Sequence, residues 1–417
     1  SEMCIRDRNK YISVIFMKKA FLFIMALMLA LIMPLRCMAN ETDNQSGIDV
    51  KAKSSVLMCI DTGEIIYENN AYEHLSPASV TKLMSILLVL EAVDSGKISL
   101  TDEVTVTEEA TKMGGSQIWL EVGESMTVDD LFKAVVVASA NDACVALGVH
   151  IEGSLSGFVQ MMNDRAKELG LENSNFENCT GLDDTTKNHY SCAYDLGVIA
   201  CEIMKHSIIT DYSTIWLDSL RNGETELNNT NKLINKYDGI TGLKTGTTSN
   251  AGFCLCATAS RDNLNLVAVV LGSDTSDDRF NSARNLLDFG FANYQLIEPQ
   301  IDESQITSIK VKNGVIKEFK PVYSNSEKIL VKKGEGEISY KYEISEEVNA
   351  PVFTDDKVGR IIIYAGENII KEINLVPSEN IDKISFSFIL NNSRTDTGSC
   401  FCFLNDRSVV HLSLIHI

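Results

Sequence analysis

A chain of 417 residues exceeds one ordinary domain and suits two with processing segments. With 45% hydrophobic and 23% charged residues it has the composition of a globular protein. A net charge of −20 argues against nucleic acid and anionic membrane as general partners.

Residues 1–16 lack structural logic and read as a non-native leader, and the closing Leu412–Ile417 has the same texture. Met17-Lys18-Lys19 followed by the apolar run Ala20–Met33 reads as a secretory signal, with Cys37-Met38-Ala39 as the cleavage site before Asn40. A retained membrane anchor is the second reading. Arg36 argues against lipid attachment at Cys37. Without the signal and the suspect ends, Cys59, Cys144, Cys179, Cys192, Cys201, Cys254 and Cys256 remain. Their number is odd, their spacing irregular and no histidine cluster accompanies them, so most read as small buried residues and no metal is expected.

Val56–Ile60, a turn at Asp61–Glu64 and Ile65–Tyr67 predict a strand pair. Ser76 is then a helix N-cap and Pro77 the first helical residue, before the apolar run Leu83–Leu90. That helix carries Ser79 and, three residues on, Lys82 on the same face, with an amine whose pKa falls on burial. A neutral amine beside a hydroxyl is a base beside a nucleophile. Alone, the pair equally describes an ordinary buried helix.

Thr101–Met126 is a turn-rich excursion able to border a site, and Thr127 caps a helix ending near Val137. Ser139-Ala140-Asn141 follows between two helices, where Ser139 and Asn141 can project into a cleft or merely cap the next helix. An amphipathic helix is predicted over 158–169 and a further helix over about 193–204, with a polar loop between that holds His189. His189 reads as structural rather than as a base. Gly239–Ala259 and Leu264–Leu271 predict a strand pair with Lys244-Thr245-Gly246 on its first strand, where the glycine admits close approach. Asp278-Arg279 opens a helix that packs Leu286, Leu287, Phe289 and Phe291 on the sheet. Short strands between 309 and 375 then form a small all-β domain.

Ser79-x-x-Lys82, Ser139-x-Asn141 and Lys244-Thr245-Gly246 stand in the order known from penicillin-binding proteins and β-lactamases. Their wording, from Pro77–Met84 through Ser139–Ala143 to Gly242–Gly246, resembles the low-molecular-weight penicillin-binding proteins of the serine-type D-alanyl-D-alanine carboxypeptidase class. Ala140 stands where that family usually has glycine. The resemblance implies an α+β catalytic domain of the β-lactamase/transpeptidase type, an antiparallel sheet flanked by helices, followed by the β-rich domain. The expected organisation is a leader at 1–16, a signal peptide at 17–39, a catalytic domain at 40–296, a β-rich domain at 297–377 and an uncertain tail at 378–417.

The resemblance also implies a reaction. Ser79 attacks the carbonyl between two terminal D-alanines of a peptidoglycan stem peptide, Lys82 is the base, Ser139 relays the proton and Asn141 holds Lys82 and the substrate amide. The backbone of Ser79 and Thr247 forms the oxyanion hole, and Lys244, Thr245, Gly246 and Arg279 line the carboxylate site; Arg279 read alone is a surface helix-start arginine. No cofactor is required, β-lactams act as inhibitors, and the protein is exported to the outer face of the cytoplasmic membrane. Family habit adds a C-terminal membrane-anchoring segment. Two rivals remain: a class A-like β-lactamase, for which Glu224-x-x-Leu227-Asn228 supplies the pattern but too close to Lys244, and a non-catalytic wall-binding scaffold.

Overall fold

The computed structural model describes residues 47–184, 186–323 and 327–385. The leader, the signal peptide and most of the C-terminal tail lie outside the described residues. Strands β1 (Ser54–Cys59) and β2 (Ile65–Asn69) form the predicted hairpin. Helix α1 (Lys82–Asp94) follows a 3₁₀ turn over Ala78–Thr81. The excursion between β3 (Glu103–Thr105) and β4 (Ser125–Thr127) holds the short α2 (Glu108–Thr111) and leads into α3 (Val128–Lys133). Thr127 caps α3, its hydroxyl accepting from the Asp130 N–H at 3.1 Å. The helix then widens into a π turn over Ala134–Ala138, which delivers Ser139 in a left-handed conformation.

Helices α4 (Asn141–Glu152), α5 (Leu155–Glu168), α6 (Ala193–Ile203) and α7 (Ile209–Ser213) complete a helical layer. A hairpin of β5 (Leu217–Leu220) and β6 (Thr225–Asn228) precedes the long strands β7 (Ile240–Thr248), β8 (Gly252–Arg261) and β9 (Leu264–Ser273). With β1 and β2 these make an antiparallel sheet in the order β2-β1-β9-β8-β7. Helix α8 (Ser276–Asn293) then lies on β8 and β9.

The pleat explains how the sheet takes helices on both faces. Val56, Met58, Cys254, Cys256, Val267 and Val269 point into the core shared with α1 and α6. Leu57, Cys59, Leu255, Ala268 and Val270 point the other way, onto Leu286, Leu287 and Phe291 of α8. Cys254 and Cys256 share one face as expected, and the seven cysteines among the described residues are all free and buried.

The β-rich region begins earlier than the expected 297, because β10 (Tyr294–Ile297) pairs with β14 (Ile329–Lys332). β11 (Ile309–Lys312) lies between β12 (Glu318–Phe319) and β16 (Glu347–Asn349). A four-stranded sheet runs β13 (Val322–Tyr323), β18 (Asn368–Val376), β17 (Gly359–Ala365) and β15 (Ile338–Ile344). Residues past the expected boundary at 377 belong here too: Ile381 bridges to Val352, Lys383 to Gly314, and Ile381 is buried in this core.

Leu287 joins α8 to the outer face of the sheet and is fully buried. Leu287→Ala is expected to cost about 2–5 kcal/mol in urea unfolding followed by circular dichroism. A loss under about 1 kcal/mol would contradict this packing.

Candidate active site

Ser79 sits on the 3₁₀ turn rather than inside an α-helix, which corrects the expected cap. Pro77 occupies the N-cap without a side-chain bond, and the Ser76 hydroxyl instead donates to Asp183 Oδ2 at 3.2 Å. Two close backbone approaches set this geometry. A Cβ on Gly246 of β7 would lie 2.8 Å from the Pro77 carbonyl oxygen and 2.9 Å from the Ser79 nitrogen. A Cβ on Gly181 would lie 1.8 Å from the Ala78 carbonyl oxygen, and Gly181 has φ +82°. Clamped between them, Ala78 takes φ +48°, an unfavourable region for a residue with a Cβ. Tertiary packing thus overrides the local capping preference.

In a 3₁₀ turn the side chains at i and i+3 eclipse. The turn therefore sets the Lys82 amine over the Ser79 hydroxyl, with Nζ 3.0 Å from Oγ. The same amine lies 2.5 Å from Asn141 Oδ1 and 2.9 Å from the Thr180 carbonyl oxygen. Lys82 is fully buried, and burial lowers its pKa to about 8, against weaker opposing fields of Cys144, Cys179 and Asp142. Its three partners suit both protonation states. The ammonium donates to all three, whereas the neutral amine donates to Asn141 and Thr180 and accepts from the Ser79 O–H.

A second chain of contacts faces the first. Lys244 Nζ donates to Ser139 Oγ at 2.8 Å and to the Thr245 carbonyl at 3.0 Å. Thr245 Oγ1 donates to Thr230 Oγ1 at 2.7 Å. Burial pushes the Lys244 pKa well down, reinforced by the charges of Lys82 and Arg279. β7 is an edge strand, so its free side meets the Ser79 turn directly. Arg279 is not a surface arginine: it is 7% exposed, and its Nη1 donates to the Gly246 carbonyl and Thr247 Oγ1, both at 2.9 Å.

Several positioning groups carry no motif and escaped the sequence reading. Asp142 is fully buried, and its carboxylate accepts from the N–H groups of Ile118 and Leu120, each at 3.1 Å. This fastens the excursion to the second motif, and an acidic residue directly after Asn141 on a buried helix was the available signal. Asn141 extends the attachment, donating from Nδ2 to the Gly114 carbonyl at 2.6 Å and from its N–H to the Ser116 carbonyl at 2.7 Å. Asp183 Oδ2 accepts from Thr248 Oγ1 at 2.6 Å as well as from Ser76, tying the end of β7 to the Ser79 turn.

His189 is structural. Its Nδ1 accepts from the Glu177 N–H at 3.0 Å, so Nε2 carries the proton toward Thr81 Oγ1 at 2.8 Å, and burial lowers its pKa to about 4. Glu224, the glutamate of the β-lactamase-like pattern, is exposed at the β5–β6 turn.

Among known proteins, the family described as D-alanyl-D-alanine carboxypeptidase matches residues 39–275, and the C-terminal domain of penicillin-binding protein 5 matches residues 294–383. D-alanyl-D-alanine carboxypeptidase DacF of Bacillus subtilis is 38% identical over 378 residues, covering 89% of this chain and 97% of that protein. The crystal structure of penicillin-binding protein 5 from Haemophilus influenzae superposes with a TM-score of 0.73 at 31% identity, covering 80% of this chain and 98% of the other. Penicillin-binding protein D2 of Listeria monocytogenes in its ampicillin-bound form superposes with a TM-score of 0.54 at 30% identity, over 58% of this chain and 98% of the other. The motifs, the sheet that carries them and these matches lead to one conclusion: the chain belongs to the peptidase S11 family of D-alanyl-D-alanine carboxypeptidases.

Proposed function

We propose that this enzyme removes the terminal D-alanine from peptidoglycan stem peptides by a serine acyl-transfer cycle. The observation that carries this reading is the Lys82 amine, fully buried, with its pKa lowered to about 8 so that it gives up its proton more readily, and 3.0 Å from the Ser79 hydroxyl. Neutral Lys82 takes the Ser79 proton as the hydroxyl attacks the penultimate carbonyl, and the carbonyl electrons move onto oxygen. Backbone N–H groups of Ser79 and Thr247 hold that oxyanion, each worth about 3 kcal/mol. As the C–N bond breaks, Ser139 relays the proton held by Lys82 to the departing D-alanine amine, which returns Lys82 to its neutral form, and Asn141 keeps Lys82 oriented. Lys244 and Thr245, with the charge of Arg279 behind Thr247, receive the substrate's terminal carboxylate. Gly246 leaves room for the peptide beside the nucleophile turn. Water, deprotonated by the same amine, releases the shortened peptide.

A β-lactam presents a strained amide to the same serine and remains attached because deacylation is slow. This supports acylation by penicillins, as does the structural likeness to an ampicillin-bound relative. No helix among the described residues is long and apolar enough to cross a membrane. We place the enzyme outside the cytoplasm from residues 17–39 and from its cell-wall relatives, with a catalytic unit over 40–296 and membrane attachment through a C-terminal segment.

Purified enzyme is expected to release free D-alanine from a peptide ending in D-Ala-D-Ala, and Ser79→Ala is expected to abolish release and labelling by fluorescent penicillin together. Release that survives the substitution would reject Ser79 as nucleophile. The rate of penicillin acylation should climb about tenfold per pH unit on the acid side and level off above about pH 8, as Lys82 loses its proton. A profile flat from pH 6 to 9 would remove Lys82 from the role of base. Gly246→Ala should slow acylation by about 100-fold or more, the order of losing one oxyanion donor. Its circular dichroism spectrum should stay native, and acylation within a factor of two of the unaltered enzyme would contradict the close approach.

A further inference from the structure

Two successive peptide groups beside the Lys82 amine are gripped from both sides. Asn178 Oδ1 accepts from the Thr180 N–H at 3.0 Å, an Asx turn, and from the Gly181 N–H at 2.7 Å. In a trans peptide the N–H and the C=O of the same plane point in opposite directions. Holding those two N–H groups therefore turns the Cys179 and Thr180 carbonyls away from Asn178, toward α1. The Cys179 carbonyl accepts from the Ser85 hydroxyl of α1 at 2.8 Å, and the Thr180 carbonyl accepts from Lys82 Nζ at 2.9 Å. Asn178 Nδ2 closes the loop by donating to the Leu182 carbonyl at 2.7 Å. One side-chain amide thus fixes backbone groups of Thr180, Gly181 and Leu182 together.

The Thr180 carbonyl matters for direction. A neutral amine carries two N–H bonds and one lone pair. With those N–H groups on Asn141 Oδ1 and the Thr180 carbonyl, the lone pair of Lys82 is left facing Ser79 Oγ. Were the Thr180 carbonyl to swing away, one N–H would lose its partner and the lone pair its bearing. Ser85 Oγ and Cys144 Sγ, at 2.8 and 3.3 Å, both donate to the Cys179 carbonyl and so hold the preceding peptide. The Thr180–Gly181 peptide takes its tilt from Asn178.

We propose that Asn178 is a positioning residue for Lys82: its side-chain oxygen aims the Thr180 carbonyl at the amine, so that the amine's lone pair faces the Ser79 hydroxyl. This rests on the reading above of Lys82 as the base that activates Ser79.

The test follows penicillin acylation over a range of concentrations in the unaltered enzyme, Asn178→Ala and Asn178→Asp. Alanine removes the acceptor, whereas aspartate keeps an oxygen for both N–H groups and gives up only the donor to Leu182. Rates are read on the high-pH plateau, where any change in the protonation of Lys82 drops out. Asn178→Ala should slow the limiting acylation rate about tenfold or more, part of what a general base supplies. Its half-saturating concentration should stay within about twofold, because only the chemical step is touched, and Asn178→Asp should recover most of the rate. An Asn178→Ala rate within about twofold of the unaltered enzyme overturns the proposal, as does a loss that aspartate does not relieve. The titration of Lys82, read by NMR from its labelled ε-carbon, needs no turnover. An ammonium gains from each acceptor, so Asn178→Ala should lower the midpoint while Cys144, Cys179, Asp142 and Lys244, the groups whose charge bears on this amine or answers to it, are unaltered. A midpoint unmoved or raised overturns the proposal. A lowered midpoint, with no acylation and no D-alanine released by the unaltered enzyme, would leave the positioning standing and reject the hydrolytic reading.

Discussion

The burial of one amine governs this structure. A lysine side chain taken wholly out of water is costly when charged, and the protein lowers that cost by letting the proton leave near neutral pH. Everything around Lys82 serves this compromise. The apolar run of α1 excludes water, while Asn141 and the Thr180 carbonyl supply acceptors that serve either protonation state. The hydroxyl three residues earlier lies 3.0 Å from that amine.

The second governing feature is steric. The Ser79 turn is squeezed between Gly246 on the sheet edge and Gly181 in the loop, and neither place tolerates a Cβ without displacing backbone. This contact brings the edge strand's free face to the serine nitrogen. It also explains why the turn is 3₁₀ and why Ala78 accepts a left-handed backbone. Asp183 joins the same three parts through Ser76 and Thr248.

Much of this was legible in the sequence. The alternating strands, the apolar α1 and the three short motifs depend on local patterns, and the strand pair expected at Val56–Ile60 and Ile65–Tyr67 forms as β1 and β2. What was not legible came from distant parts of the chain. Ser76 looks like a cap but bonds to Asp183, more than a hundred residues on. Asp142 reads as a first-turn helix acid until the excursion is seen to close over it. Arg279 could be surface or site by sequence, because only the fold brings α8 up to the end of β7. The β-rich region resisted exact bounds because its last pairings, at Ile381 and Lys383, are single bridges without a strand pattern.

The turn at Ser139–Asn141 has a consequence for how charge is allocated in the cleft. Ser139 touches Lys244 and Asn141 touches Lys82, so one three-residue turn sets the separation of two buried amines. The charge of Lys82 makes Lys244, already disfavoured by burial, harder to protonate. A shift of that turn therefore acts on both amines at once, so the spacing of the two cannot be changed at one end of the cleft without disturbing the other.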